Sequence, residues 1–88
     1  MDIRELEKIL KVLANRRRLA ILRYLKKNKV ASVADIADEI KLTFKATSNH
    51  LRVLATLDLL EREQQGYHGM YRIVKDQKPV VQYIISLL

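Results

Sequence analysis

Between Ile3 and Leu13 the apolar residues fall at Ile3, Leu6, Ile9, Leu10 and Leu13, a spacing of three and four that predicts a helix with one apolar face. The subset Ile3, Leu6, Leu10 and Leu13 also follows the a and d positions of a heptad, so this face suits a partner chain as readily as the chain's own core. Asn15 offers an N-cap side chain for a second helix, in which Leu19, Ile21, Leu22 and Leu25 are apolar and which Lys26, Lys27 and Asn28 close. Ser32 and Asp35 approximate a capping box and open a short third helix from Val33 to about Ile40, with Val33, Ile36, Ala37 and Ile40 inward. Lys41 and Leu42 form a tight turn. Thr43 then caps a fourth helix whose inward stripe is Thr47, His50, Leu51 and Leu54, extended by Leu57. Two helices joined by so short a turn have the outline of a helix-turn-helix.

After Asp58, which takes the helix-ending position where glycine is usual, the apolar period changes from about 3.6 to about 2. Leu59–Gln65 and Met70–Val74 read as strands flanking Gly66-Tyr67-His68-Gly69, a register that sets Glu63 opposite Arg72. Pro79 suits the first turn of a last helix, in which Val80, Val81, Tyr83, Ile84, Ile85, Leu87 and Leu88 are apolar. The expected architecture is mostly α with a small β-hairpin: five helices and a two-stranded wing in one domain spanning residues 1–88.

Charge narrows the function. Seventeen Lys and Arg against ten Asp and Glu give a net charge of +7, which calls for a polyanionic partner. Nine of the basic residues lie between Lys8 and Lys29 with no acid among them, and the fourth helix carries none through Leu57. Arg16, Arg17 and Arg18 crowd the first turn of the second helix, where the helix dipole disfavours positive charge, so an external anion is one reason for them. The other is that they follow the C-terminus of the first helix, where they are favourable. On the outward face of the fourth helix stand Phe44, Lys45, Ser48, Asn49 and Arg52, residue types that read base edges. With Thr43, Arg16, Arg17 and the hairpin pair Tyr67 and His68, they form the expected contact set for double-stranded DNA. His50, on the inward stripe, is expected to hydrogen-bond a backbone carbonyl.

Other chemistries find no support in the residues. The chain has no cysteine and two histidines in separate elements, so no zinc site and no cofactor are expected. Ser48 and His50 point to different faces of one helix, and no glycine-rich phosphate loop occurs, so no enzyme is expected. The N-terminus lacks an apolar leader, no run approaches the roughly 20 residues of a membrane span, and Pro79–Leu88 contains no Lys or Arg for an interfacial helix. A cytoplasmic location without membrane contact follows as the simplest reading.

The segments Leu13-Ala-Asn-Arg-Arg-Arg-Leu-Ala-Ile-Leu22, Ser-Val-Ala-Asp-Ile-Ala from Ser32, Ser48-Asn-His-Leu-Arg-Val-Leu54 and Tyr71-Arg-Ile73 resemble, in order and spacing, the ArsR-type winged-helix repressors. Those proteins carry LADPTRLRIL, CVCDLA, SHHLKVL and YYRL at the corresponding places. Arg18, Leu19, Ile21, Leu22, Asp35, Ala37, Ser48, His50, Leu51, Val53, Leu54, Tyr71 and Arg72 carry over directly. The resemblance implies a winged helix-turn-helix that represses transcription until an effector, which this sequence does not identify, releases it. It also implies a homodimer built from the first and last helices, here through Ile3, Leu6, Leu10 and Leu13 with Val81, Ile84, Ile85 and Leu88. Ser32 and Ala34 stand where metal-sensing members have thiolates, and the last helix lacks the Asp, His and Glu that ligate metal in others. Glu61 and Glu63 occupy wing positions where basic residues are common. An acidic wing suits the alternative function, a protein-interaction module in a transcription or replication complex.

Overall fold

The computed structural model describes residues 1–88, and its first four helices each begin at a side chain that satisfies free backbone amides. Asp2 accepts from the Glu5 amide at 2.8 Å to start α1 (Ile3–Leu13). Asn15 accepts from the amides of Arg17 and Arg18 at 3.0 and 3.2 Å to start α2 (Arg16–Asn28). Ser32 caps α3 (Val33–Ile40) and Thr43 caps α4 (Phe44–Ala55), each at 3.1 Å. The last helix, α5 (Pro79–Ser86), relies instead on Pro79 in its first turn. Lys41, the C-cap of α3, and Asp58, beyond α4, take left-handed φ of 55°, so Asp58 turns the chain as the missing glycine would.

The sheet departs from the expected two strands. It has three, in the order β1-β3-β2, all antiparallel: β1 (Ala31–Ser32), β2 (Leu60–Gln65) and β3 (His68–Ile73). The hairpin turn is also two residues, Gly66-Tyr67, instead of four, because Gln65 pairs with His68 and only Gly66 needs a positive φ, 62°. Gly69 instead lies in β3, where an added Cβ would meet the Arg62 guanidinium at 2.5–2.8 Å. The shorter turn moves the register by two, so Glu61 stands opposite Arg72 and Glu63 opposite Met70. A shift of two keeps every side chain on its face, and Glu63 still reaches Arg72 diagonally as an ion pair.

The core is drawn from all five helices: Ile9, Val12 and Leu13 of α1, Ile21, Leu22 and Leu25 of α2, Ile36 and Ile40 of α3, Leu51 and Leu54 of α4 and Val81 of α5, with Ala31 and Leu59. Two residues expected on a dimer seam, Leu13 and Val81, are thereby buried within the chain, each 3% exposed. Helix α5 is fastened by an ion pair from Lys78 to Glu5 of α1 and by Lys26 of α2, whose Nζ donates to the Ser86 carbonyl at 3.3 Å. No helix is long and apolar enough to cross a membrane.

Candidate nucleic-acid interface

Helix α4 is seated by Thr47, Leu51 and Leu54, which are buried, and this fixes which way its other residues point. Phe44, Lys45, Asn49 and Arg52 are exposed and Ser48 is half-buried, as the helical spacing requires. Phe44 is 61% exposed, an unusual setting for a ring at the first turn of a helix. Asn49 Oδ1 accepts from Arg52 one turn on, so amide and guanidinium present themselves together. The Thr43 Oγ1 accepts from the Ala46 amide as a cap, leaving its hydroxyl hydrogen free to donate outward. The helix contains two formal positive charges and no carboxylate. The Thr47 Oγ1 is buried and meets no other polar group of the protein within hydrogen-bond distance.

The three arginines at the start of α2 part company, because neighbouring helical residues point in different directions. Arg17 donates from Nη1 to the Ile40 carbonyl at 2.6 Å, closing the C-terminus of α3 beside the turn that leads to α4. Arg18 donates from Nη1 to the Val12 carbonyl of α1 at 3.0 Å and from Nε to the Nδ1 of His50 at 3.3 Å. Arg16 is exposed and borders a groove with Leu19, Ala20 and Leu88. Two of the three cations therefore answer helix C-termini inside the molecule. The unfavourable charge in the first turn of α2 signalled some such partner, but residues 23 and 32 apart in sequence had to be brought together to show which.

His50 thus takes a guanidinium, not the expected backbone carbonyl, as its partner. Accepting at Nδ1 requires the neutral ring with its proton on Nε2. Partial burial, followed by the positive charges of Arg18 and Arg17, holds its pKa below the ordinary histidine value. Arg18, which lies outside the expected contact set, ties α1, α2 and α4 together through these bonds and so helps to fix the orientation of α4.

The two hairpin residues also diverge. Tyr67 is fully exposed at the tip, while His68 opens β3 and lines a cleft with Ser32, Asp35 and Gln65 between the wing and α3. Nowhere do three or more His, Asp or Glu side chains gather as a metal site would need. On the outer face of the wing Glu63 is paired with Arg72, and Glu61 has no ion-pair partner.

Residues 15–62 match the family of bacterial regulatory proteins named for arsR. No curated protein sequence matches the chain. Among solved structures, the transcriptional repressor PagR of Bacillus anthracis is 32% identical, with a TM-score of 0.75 over 97% of this chain and 93% of that one. The antimony-specific transcriptional repressor AntR is 31% identical, with a TM-score of 0.80 over 99% of this chain and 81% of that one. The homodimeric winged helix-turn-helix DNA-binding domain of a possible ArsR-family regulator from Mycobacterium bovis is 28% identical, with a TM-score of 0.79 over 97% of this chain and 75% of that one.

Proposed function

Because the chain belongs to the arsR family of bacterial regulatory proteins, we propose that it is a homodimeric, sequence-specific DNA-binding repressor of transcription that works without a bound metal. The observation that carries this reading is the outward face of α4, with Lys45, Ser48, Asn49 and Arg52 beside an exposed Phe44 and no carboxylate in the helix. A face of this kind fits the major groove: Asn49 suits adenine, Arg52 and Lys45 suit guanine, and Phe44 suits a thymine methyl. In this reading phosphate is met by Tyr67 at the wing tip, by Thr43 at the helix start and by Arg17, which stays exposed while one of its nitrogens holds the Ile40 carbonyl. His68, exposed at the start of β3, and Arg16, exposed at the start of α2, complete the proposed contact set.

The dimer is supported by apolar surface the monomer leaves open. Ile3, Leu6 and Leu10 are 85%, 37% and 46% exposed on one face of α1. That face leads through Ala14 to the groove of Arg16, Leu19, Ala20 and Leu88. Ile84 is half-buried one turn before Leu88, whereas Ile85, half-buried too, lines the separate groove between α2 and β3. Covering such a strip with a second copy sets two α4 helices about 34 Å apart, one turn of DNA, and implies a palindromic operator. Metal independence is supported by Ser32 and Ala34 at the positions of the family thiolates and by the absence of clustered ligands.

A gel shift on a selected operator, with random duplex as competitor, tests the reading. Asn49→Ala should cost about 1–3 kcal/mol on the operator and little on random DNA, and chelator should change neither. Equal losses on both duplexes remove base readout from Asn49, and binding insensitive to salt would favour a protein partner over DNA. In sedimentation at micromolar concentration the wild type should run as a dimer and Leu6→Glu as a folded monomer with weaker operator binding. A monomeric wild type defeats the dimer.

A further inference from the structure

The C-terminal end of α2, the end of β3 farthest from the hairpin tip and α5 enclose a groove of about 640 Å³. Its floor is apolar, built by Leu25, Val30, Ile73 and Ile85. Its rim carries Lys26, Lys29, Arg72 and Lys75, and no acid lines it. Arg72 is paired with Glu63 and Lys26 holds the Ser86 carbonyl, whereas Lys29 and Lys75 have neither an ion pair nor a side-chain hydrogen bond. Lys29 is also fixed in an unusual backbone. Its φ of 71° and ψ of −52°, with the Val30 amide donating to the Asn28 carbonyl at 2.8 Å, make a γ-turn of the strained hand. A glycine would relieve that strain, yet a lysine stands there.

We infer that this groove binds an amphipathic carboxylate, a small organic acid whose apolar body lies on Leu25, Val30, Ile73 and Ile85 and whose carboxylate meets Lys29 and Lys75. The volume lies within the roughly 300–1,000 Å³ of small-molecule sites. A second copy of the chain, at +7, is a poor match for a cationic rim. A duplex phosphate would leave the apolar floor uncovered, and neither α4 nor the Gly66-Tyr67 turn contributes to the groove. Arg72 is about 17 Å along the hairpin from Tyr67 at a strand rise of about 3.4 Å per residue, so the groove lies well away from the wing tip. The inference stands whether or not the chain binds DNA.

The probe is octanoate, titrated into the whole protein by calorimetry and by methyl NMR, with octan-1-ol as the uncharged tail and acetate as the bare charge. Octanoate should bind once per chain, raise the melting temperature and shift the methyl signals of Leu25, Val30, Ile73 and Ile85. Octanol and acetate should bind at least about tenfold more weakly, the size expected for losing one charge-assisted contact or the buried tail. Lys29→Gln combined with Lys75→Gln should lose about tenfold in octanoate affinity while octanol binding and the ligand-free melting temperature stay unchanged. Lys29→Gly, which removes the same charge and relieves the turn, should lose octanoate affinity while melting no lower than wild type. No octanoate binding, equal binding of octanol, methyl shifts confined to other residues, or full affinity in the double variant would each overturn the site.

Discussion

Helix α4 turns Thr47, Leu51 and Leu54 into the core, whereas strand β2 of the wing exposes five of its six residues. The helix is held by side chains from several elements, including the Arg18 guanidinium on His50, so its outward residues are placed by the packing of the whole domain. Strand β2 is held by its main-chain ladder to β3, by Leu60 against the core and by the Glu63–Arg72 pair, whose partners are both substantially exposed. Their charges differ in the same sense. Helix α4 has Lys45 and Arg52 against no acid, while in the hairpin Glu61 and Glu63 balance Arg62 and Arg72. Rigid placement and favourable charge therefore coincide in the helix and are both weak along β2, which is why the proposed function gives base reading to the helix and a minor phosphate contact to the wing.

Removing the seat of α4 should do the most damage. Leu51 is fully buried, and Leu51→Ala should destabilise the fold by about 2–5 kcal/mol through lost burial and the cavity left behind, read as a drop in the urea midpoint. A loss as small as that of an exposed wing residue would erase the contrast between the two regions. A smaller change sharpens it from the other side. Glu61 has no ion-pair partner on the outer face of the wing, and Glu61→Lys should strengthen DNA binding at low salt and steepen the log–log salt slope by about one. An unchanged slope in a gel-shift salt series would keep the wing off the phosphate backbone.

The smallest effect is a pH dependence. The folded-state pKa of His50 is lowered by burial and then by Arg18 and Arg17, so as pH falls through about 6.5 the unfolded chain takes up its proton before the folded one does. The contribution of His50 to stability is complete above the ordinary histidine value and declines as pH falls from there through the lowered one. Protonation also removes the acceptor that Arg18 uses. Urea midpoints at about pH 7.5 and about pH 5.5 should differ less in His50→Gln than in the wild type, and an equal difference would detach the effect from His50.

The helices were legible in the sequence because their starts are written in local chemistry. Asn15, Ser32 and Thr43 each bond an amide within three residues, and the observed helices begin where those caps place them. The outward set of α4 was legible for a related reason, since a helical period fixed by Thr47, Leu51 and Leu54 leaves its other residues one direction to face. The hairpin turn was less so. Either glycine can begin a turn, and the choice of Gly66 goes with the side chain of Arg62 lying across Gly69. Strand β1 was invisible because two residues carry no period, and Ala31 and Ser32 are a strand only because Tyr71 and Met70 lie beside them.

By itself the sequence determined the number, order and starts of the five helices, the acid-free face of α4 and the apolar excess on α1 and α5, because each rests on contacts between residues a few positions apart. The tertiary structure decided which of the seam residues remain outside: Leu13 and Val81 face their own core, while Ile3, Leu6 and Leu10 stay open. It also decided that Arg17 closes α3, that Arg18 holds His50 and that Arg16 stands apart from both. A helical period states that a face is apolar or charged, but the partner of that face is set by where other helices lie, and that depends on the packing of the whole chain at once.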